Sequence, residues 1–190
     1  MVETLINPTD NDLIQSTLAG NPQSFEALVR RYQERLLAAM TGVCGAVQEA
    51  EDVVQEAFLQ AYCKLDGFRR ESRFYTWLYR IAFNLSVNRR RRRRPLWNSE
   101  RATGTEGGDV VDPAPGPEEA LERTERAEQL RAGIARLPTE FREVLVLREL
   151  EGFCYETISE VLGLPIGTVR SRLHRARQQL RDELQAWFDG

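Results

Sequence analysis

Apolar residues recur along this chain at helical spacing, segment after segment, and nowhere settle into the strict alternation of a strand. Asp10-Asn11-Asp12 offers a cap to a first helix that Gly20-Asn21-Pro22 ends, and Ser24 offers one to a second running through FEALVRRYQERLLAAM. A third helix follows EAEDVVQEAFLQAYCKL. A loop is predicted at DGFRRES, and a fourth helix begins near Arg73 and runs into a block of arginines ending at Arg94. PLWNSERATGTEGGDVVDPAPGP then interrupts the periodicity with prolines, glycines and acids, the composition of a flexible linker. Beyond it come helices across PEEALERTERAEQLRAGIARL and TEFREVLVLRELEG, and two shorter ones on either side of GLPIG. The expectation is an all-α fold: two small helical domains, 1–94 and 118–190, joined by a linker over 95–117, the second domain a helix-turn-helix.

The same periodicity sorts side chains onto faces. In the third helix Ala50, Val54, Ala57, Phe58 and Ala61 fall toward a core, leaving Asp52, Gln55, Glu56 and Leu59 outward. An acidic face carrying an exposed leucine suits a protein partner, and an ordinary solvated face fits equally well. The fourth helix is apolar almost all round, with Phe74, Leu78, Ile81 and Leu85 on one stripe and Tyr79, Phe83 and Val87 on the other. One reading is central burial. The other is a stacking platform for unpaired bases, since aromatics followed by cations are the combination that holds single-stranded nucleic acid, with Asn84 and Asn88 one turn apart to hydrogen-bond base edges.

The C-terminal segment YETISEVLGLPIGTVRSRLHRARQQL has the form of a helix-turn-helix: Gly163 can end one short helix and Pro165 can enter the first turn of the next. In that second helix Val169, Leu173, Ala176 and Leu180 form the core stripe. Ser171, His174 and Gln178 lie opposite, flanked by Arg170, Arg175 and Arg181, a face suited to reading a major groove. Arg172 and Arg177 sit nearer the core boundary, where phosphate contacts are expected. A solvated basic face is the plain alternative; the absence of acids between Thr168 and Arg181 argues against it, because solvated helices interleave charges.

Composition changes this picture little. The chain has 190 residues, 42% hydrophobic and 29% charged, with a net charge of -3 that averages basic patches against an acidic middle, so a polyanionic partner is not excluded. No apolar run is long enough to span a membrane and the N-terminus lacks the basic start and apolar stretch of a signal peptide, which predicts a cytoplasmic location. Cys44, Cys63 and Cys154 are isolated and expected to be buried thiols; with His174 the only histidine, no zinc site, other metal or cofactor is expected. No phosphate-binding loop, histidine-based triad or metal-binding carboxylate cluster is apparent, so an enzyme is not expected. A stand-alone helix-turn-helix regulator remains open.

Together, AEDVVQEAFLQAY, FYTWLYRIAFN and LRELEGFCYETISEVLGLPIGTVRSRLHRAR resemble, in order and spacing, the extracytoplasmic-function (ECF) sigma factors of bacterial RNA polymerase. The resemblance covers most of the chain, from about Asp12 to Leu184. It implies a non-enzymatic initiation factor whose partners are core RNA polymerase, promoter DNA and an anti-sigma factor. It assigns polymerase docking to Asp52, Val54, Gln55, Glu56 and Phe58. Recognition and melting of the minus-ten element fall to Phe68, Arg69, Ser72, Tyr75, Trp77, Asn84 and Asn88. Arg170, Ser171, His174 and Arg175, with Arg172 beside them, match the helix that contacts the minus-thirty-five element.

Overall fold

The computed structural model describes the backbone of residues 8–93 and 117–188, and the side chains of 8–92 and 126–185. Every regular element among them is helical: α1 (Asp10–Leu18), α2 (Pro22–Cys44), α3 (Val47–Cys63), a single 3-10 turn (Leu65–Gly67), α4 (Phe74–Arg93), α5 (Pro117–Arg136), α6 (Thr139–Leu145), a π-helical turn (Val146–Leu150), α7 (Tyr155–Leu162) and α8 (Ile166–Phe188). The all-α expectation holds. The predicted linker lies outside the described residues except for Pro117, which opens α5.

Both predicted caps shift toward the N-terminus. Thr9, not the Asp10–Asp12 triplet, caps α1: its hydroxyl accepts from the Asp12 N–H at 3.3 Å, and the Asp12 carboxylate accepts from the Thr9 N–H at 2.9 Å. This reciprocal pair satisfies two otherwise orphaned donors, an advantage a cap farther along would forfeit. At α2 the cap is Asn21, because Pro22 takes the first helical position, where its missing N–H costs nothing. Ser24 is therefore inside the helix and buried, its hydroxyl donating to Ser16 Oγ at 2.7 Å and tying α2 to α1.

The predicted helix TEFREVLVLRELEG is also two pieces. α6 widens after Leu145 into the π turn, closed by the Glu151 N–H donating to the Val146 carbonyl at 3.0 Å. α8 runs for 23 residues, much longer than expected, since no glycine or proline follows Gly167 until Gly190. Gly163, at φ 64°, ends α7 in the left-handed region, as its position in the sequence predicts.

Leu28, Leu36, Met40, Val53, Leu78 and Tyr79 form the centre of the N-terminal helices, and Val144, Leu147, Ile158, Val169 and Leu173 that of the C-terminal ones. These centres belong to one continuous buried cluster, because the two halves pack directly against each other. Phe153 stands edge-on to Tyr75 and Tyr79, with ring centroids 6.5 and 5.5 Å apart. A Cβ on Gly42 would lie 3.1 Å from Val146. Ion pairs frame this contact: Arg35 with Glu151 at 3.0 Å, Arg90 with Glu143 at 2.9 Å, and Arg80 with Glu160.

The thiols differ from expectation. Cys44 is half-buried, but Cys63 and Cys154 are exposed. Each of the latter stands at a helix end, Cys63 as the last residue of α3 and Cys154 capping α7, where packing closes over fewer atoms.

Candidate protein-docking and nucleic-acid interfaces

On α3 the outward set is as the periodicity predicts. The Asp52 and Glu56 side chains are 57% and 40% exposed, Gln55 is exposed, and Leu59 is 63% exposed. Val54 and Phe58 are buried, yet they form the floor of an open groove of about 700 Å³ between α2 and α3. Its apolar walls include Val29, Leu37, Leu59 and Tyr62, and its rim carries Glu26, Glu34, Glu51 and Gln55. The five docking residues assigned by resemblance thus fall on one helix, with three polar side chains outside and two apolar ones at the base of the groove. Sequence reasoning missed Val29, Leu37 and Tyr62. The spacing of Val29 and Leu37, two turns apart on α2, was the available signal.

Asp52 and Glu56 are not unpartnered. Arg89, from the arginine block of α4, donates through Nη1 to Asp52 Oδ2 and through Nη2 to Glu56 Oε2, each at 2.9 Å. The Glu56 bond, ahead of that to Asp52, raises the Arg89 pKa still further above its ordinary value.

The second constellation lies on the loop before α4 and along α4. Phe68 is half-buried against Trp77, ring centroids 5.0 Å apart, and against Phe74 at 6.0 Å. Arg69 is exposed, and the Ser72 hydroxyl donates to the Arg73 carbonyl at 3.4 Å. A cleft of about 660 Å³ opens here between the loop residues Phe68, Arg70 and Ser72 and the start of α1 at Thr9 and Asn11, which the sequence did not connect to this region. Arg70, at φ 60°, is the single non-glycine residue in the left-handed region among those described.

Along α4, Trp77, Ile81, Asn84 and Asn88 share one side, at spacings of four, three and four residues. Trp77 and Ile81 are half-buried and both asparagines are exposed. The other aromatics of α4 are enclosed: Phe74 is 2% exposed, Tyr75 4%, Tyr79 0% and Phe83 5%. For these rings, central burial describes the structure and a free stacking platform does not. Tyr75 lies between Tyr32 and Phe153 with the Arg35 guanidinium 4.1 Å over its ring, so a base reaches it only if these neighbours move. Burial, followed by the nearby Glu151 carboxylate, pushes its hydroxyl pKa well up.

In the helix-turn-helix, Val169, Leu173 and Ala176 are buried and Leu180 packs toward Gly133 of α5. Arg170, Ser171, His174, Arg175 and Gln178 are exposed on the opposite side. Arg170 and Arg148 both approach the ring of Tyr155, at 5.6 and 5.0 Å from its centroid. Arg172 and Arg177, predicted to touch phosphate, pair within the chain with Glu140 at 3.5 Å and Glu149 at 2.6 Å. The acids missing between Thr168 and Arg181 are supplied by α6 and the π turn, while Arg170, near the Tyr155 ring, and Arg175 stand beside Ser171 and His174.

Two family models match the chain: sigma-70 region 2 over residues 28–95 and sigma-70 region 4 over residues 127–180. The RNA polymerase sigma-H factor of Pseudomonas aeruginosa is 40% identical, over 95% of this chain and 96% of its own length. The ECF sigma factor SigW of Bacillus subtilis is 35% identical over 90% of this chain and 95% of its own. The ECF sigma-E factor of Escherichia coli K12 is 37% identical over 93% and 95%. Among solved structures, CnrH in complex with the cytosolic domain of CnrY aligns at a TM-score of 0.63 with 29% identity, covering 93% of this chain and 97% of that one. The two regions occur here in the order and positions of the two helical halves, and full-length similarity joins them, so the chain belongs to the ECF sigma factors, the non-enzymatic subunits that direct bacterial RNA polymerase to promoters.

Proposed function

We propose that the three faces divide the work of initiation between residues 1–94 and 118–190. Asp52, Gln55 and Glu56 dock the chain on a basic coiled coil of core polymerase, with Val54 and Phe58 setting the floor of the adjoining groove and Leu59 its wall. Phe68, Arg69, Ser72, Trp77, Asn84 and Asn88 take the minus-ten strand, the loop cleft receiving an unstacked base; Tyr75 joins them only when the C-terminal half moves away. Arg170, Ser171, His174 and Arg175 read the minus-thirty-five element in the major groove, with Arg172 beside them at the phosphates. An anti-sigma factor is the regulatory partner that family membership suggests, acting by covering these faces.

The observation that carries the docking assignment is the clustering, on one side of α3, of exposed carboxylates, an exposed leucine and an apolar groove with an acidic rim. Such a surface favours an apolar, basic helical partner and disfavours DNA. The test is reconstitution with bacterial core RNA polymerase. The wild-type chain is expected to co-elute and to direct run-off transcription, and the variant with Asp52, Gln55 and Glu56 replaced by alanine is expected to lose both while keeping its helical content. Equal co-elution of the two proteins would remove the assignment.

A further inference from the structure

Arg89 stands where two of these faces meet. It begins four residues of α4, Arg89 to Arg92, whose side chains are described and which directly follow Asn88 of the proposed minus-ten face. Its guanidinium nevertheless points to α3, where it spans the two carboxylates of the proposed docking face at 2.9 Å each. It uses one oxygen of each acid. Glu56 Oε1 accepts from Gln60 at 3.3 Å, so both oxygens of this carboxylate already accept a hydrogen bond within the chain. An incoming polymerase cation therefore meets acids whose combined charge Arg89 has halved and which already accept three hydrogen bonds within the chain. Arg89 in turn is held away from phosphate for as long as the acids keep it.

Resting on the docking assignment above, we propose that Arg89 is exchanged between the two surfaces: it pairs with Asp52 and Glu56 in the free chain, and a cation of the polymerase replaces it there and releases it to the promoter backbone. A single side chain bound at one surface or the other makes the two binding events reinforce each other, and the reinforcement is reciprocal. Because the Arg89 side chain is 28% exposed and its partners more so, the pairs it makes are weak enough to exchange. Each such pair is worth up to about fivefold in an equilibrium constant.

The experiment compares the full-length wild type with Arg89→Gln and Arg89→Lys for affinity toward bacterial core polymerase, with and without a pre-melted promoter fragment. Far-UV circular dichroism and thermal melting verify that each variant is folded. Arg89→Gln is expected to bind core about two- to twentyfold more tightly without DNA, because the acids are already free. It is also expected to gain less affinity from added DNA than wild type, and its promoter complex should lose about 0.7–0.9 from the salt slope. Arg89→Lys, which keeps the charge without the planar fork, should fall between the two. Unchanged or weaker core binding by Arg89→Gln, or an undiminished DNA-induced gain, would identify Arg89 as a brace for α3 and overturn the exchange. Failure of wild type itself to bind core would instead remove the docking assignment, and the exchange with it.

Discussion

The contact between the two halves can be weakened at one ring. Phe153 is 9% exposed and makes edge-on contacts with Tyr75 and Tyr79 across the interface. Each such contact contributes about 0.5–1.5 kcal/mol beyond the apolar area it covers, so Phe153→Ala should weaken docking of the halves by at least about 1–3 kcal/mol from the ring pairs alone. In the ratio of closed to open molecules that is roughly 5- to 150-fold. Three ion pairs and the approach of Val146 to Gly42 remain, and the exposed pair among them, Arg80 with Glu160, adds little. Small-angle X-ray scattering should record a larger radius of gyration for the variant. A tyrosine absorbance titration should show Tyr75 falling back toward 10.0, since its burial is the first cause of its raised value. An unchanged radius with unchanged tyrosine titration, in a variant that melts normally, would refute the claim that these rings hold the halves together.

Three further outcomes follow from the same packing. Burial holds the Glu151 carboxyl above its ordinary value of 4.5, more than Arg35 and Tyr75 lower it. The docked form thus takes up a proton more readily than the open one: docking should tighten as pH falls from neutral toward that ordinary value and loosen as pH rises through the elevated one. Glu151→Gln should abolish this dependence in a scattering or sedimentation series. Burial pushes the Cys44 thiol up to about 12, whereas Cys63 and Cys154 are exposed; a thiol-reactive chromophore at pH 8 should label two cysteines quickly and the third only on unfolding. Leu28 is fully buried at the centre of the N-terminal helices, and Leu28→Ala should cost about 2–5 kcal/mol in urea unfolding, whereas the exposed Leu18→Ala should stay within about 0.5 kcal/mol.

What the sequence disclosed and what it withheld divide along the range of the interactions. Periodicity within one helix was enough to place Asp52, Gln55, Glu56 and Leu59 outside and Ala57 and Ala61 inside, because a face is a local property. It also found the Val169–Leu173–Ala176 stripe and the stop at Gly163. The partners of Arg172 and Arg177 were invisible for the opposite reason: Glu140 and Glu149 reach them from other helices, 32 and 28 residues earlier in the chain. Tyr75 shows the same limit. Its position in α4 agrees with a promoter-facing role, and only the packing of Phe153, Tyr32 and Arg35 around it shows the ring enclosed. The two caps were missed by a few residues because several adjacent side chains were chemically able to cap, and a reciprocal bond or a proline decided among them.

Gly42 makes the contact between the halves sensitive to a single methyl group. It lies inside α2 without a positive φ, so its backbone would accept alanine, and among the described residues an added methyl would crowd Val146, 3.1 Å away in the other half. One base change in one codon would therefore press a methyl against the other half at Val146, which must give by a few tenths of an ångström. It would leave untouched every side chain assigned here to polymerase or promoter. Such a change would act on the contact between the halves and not on what the factor recognises.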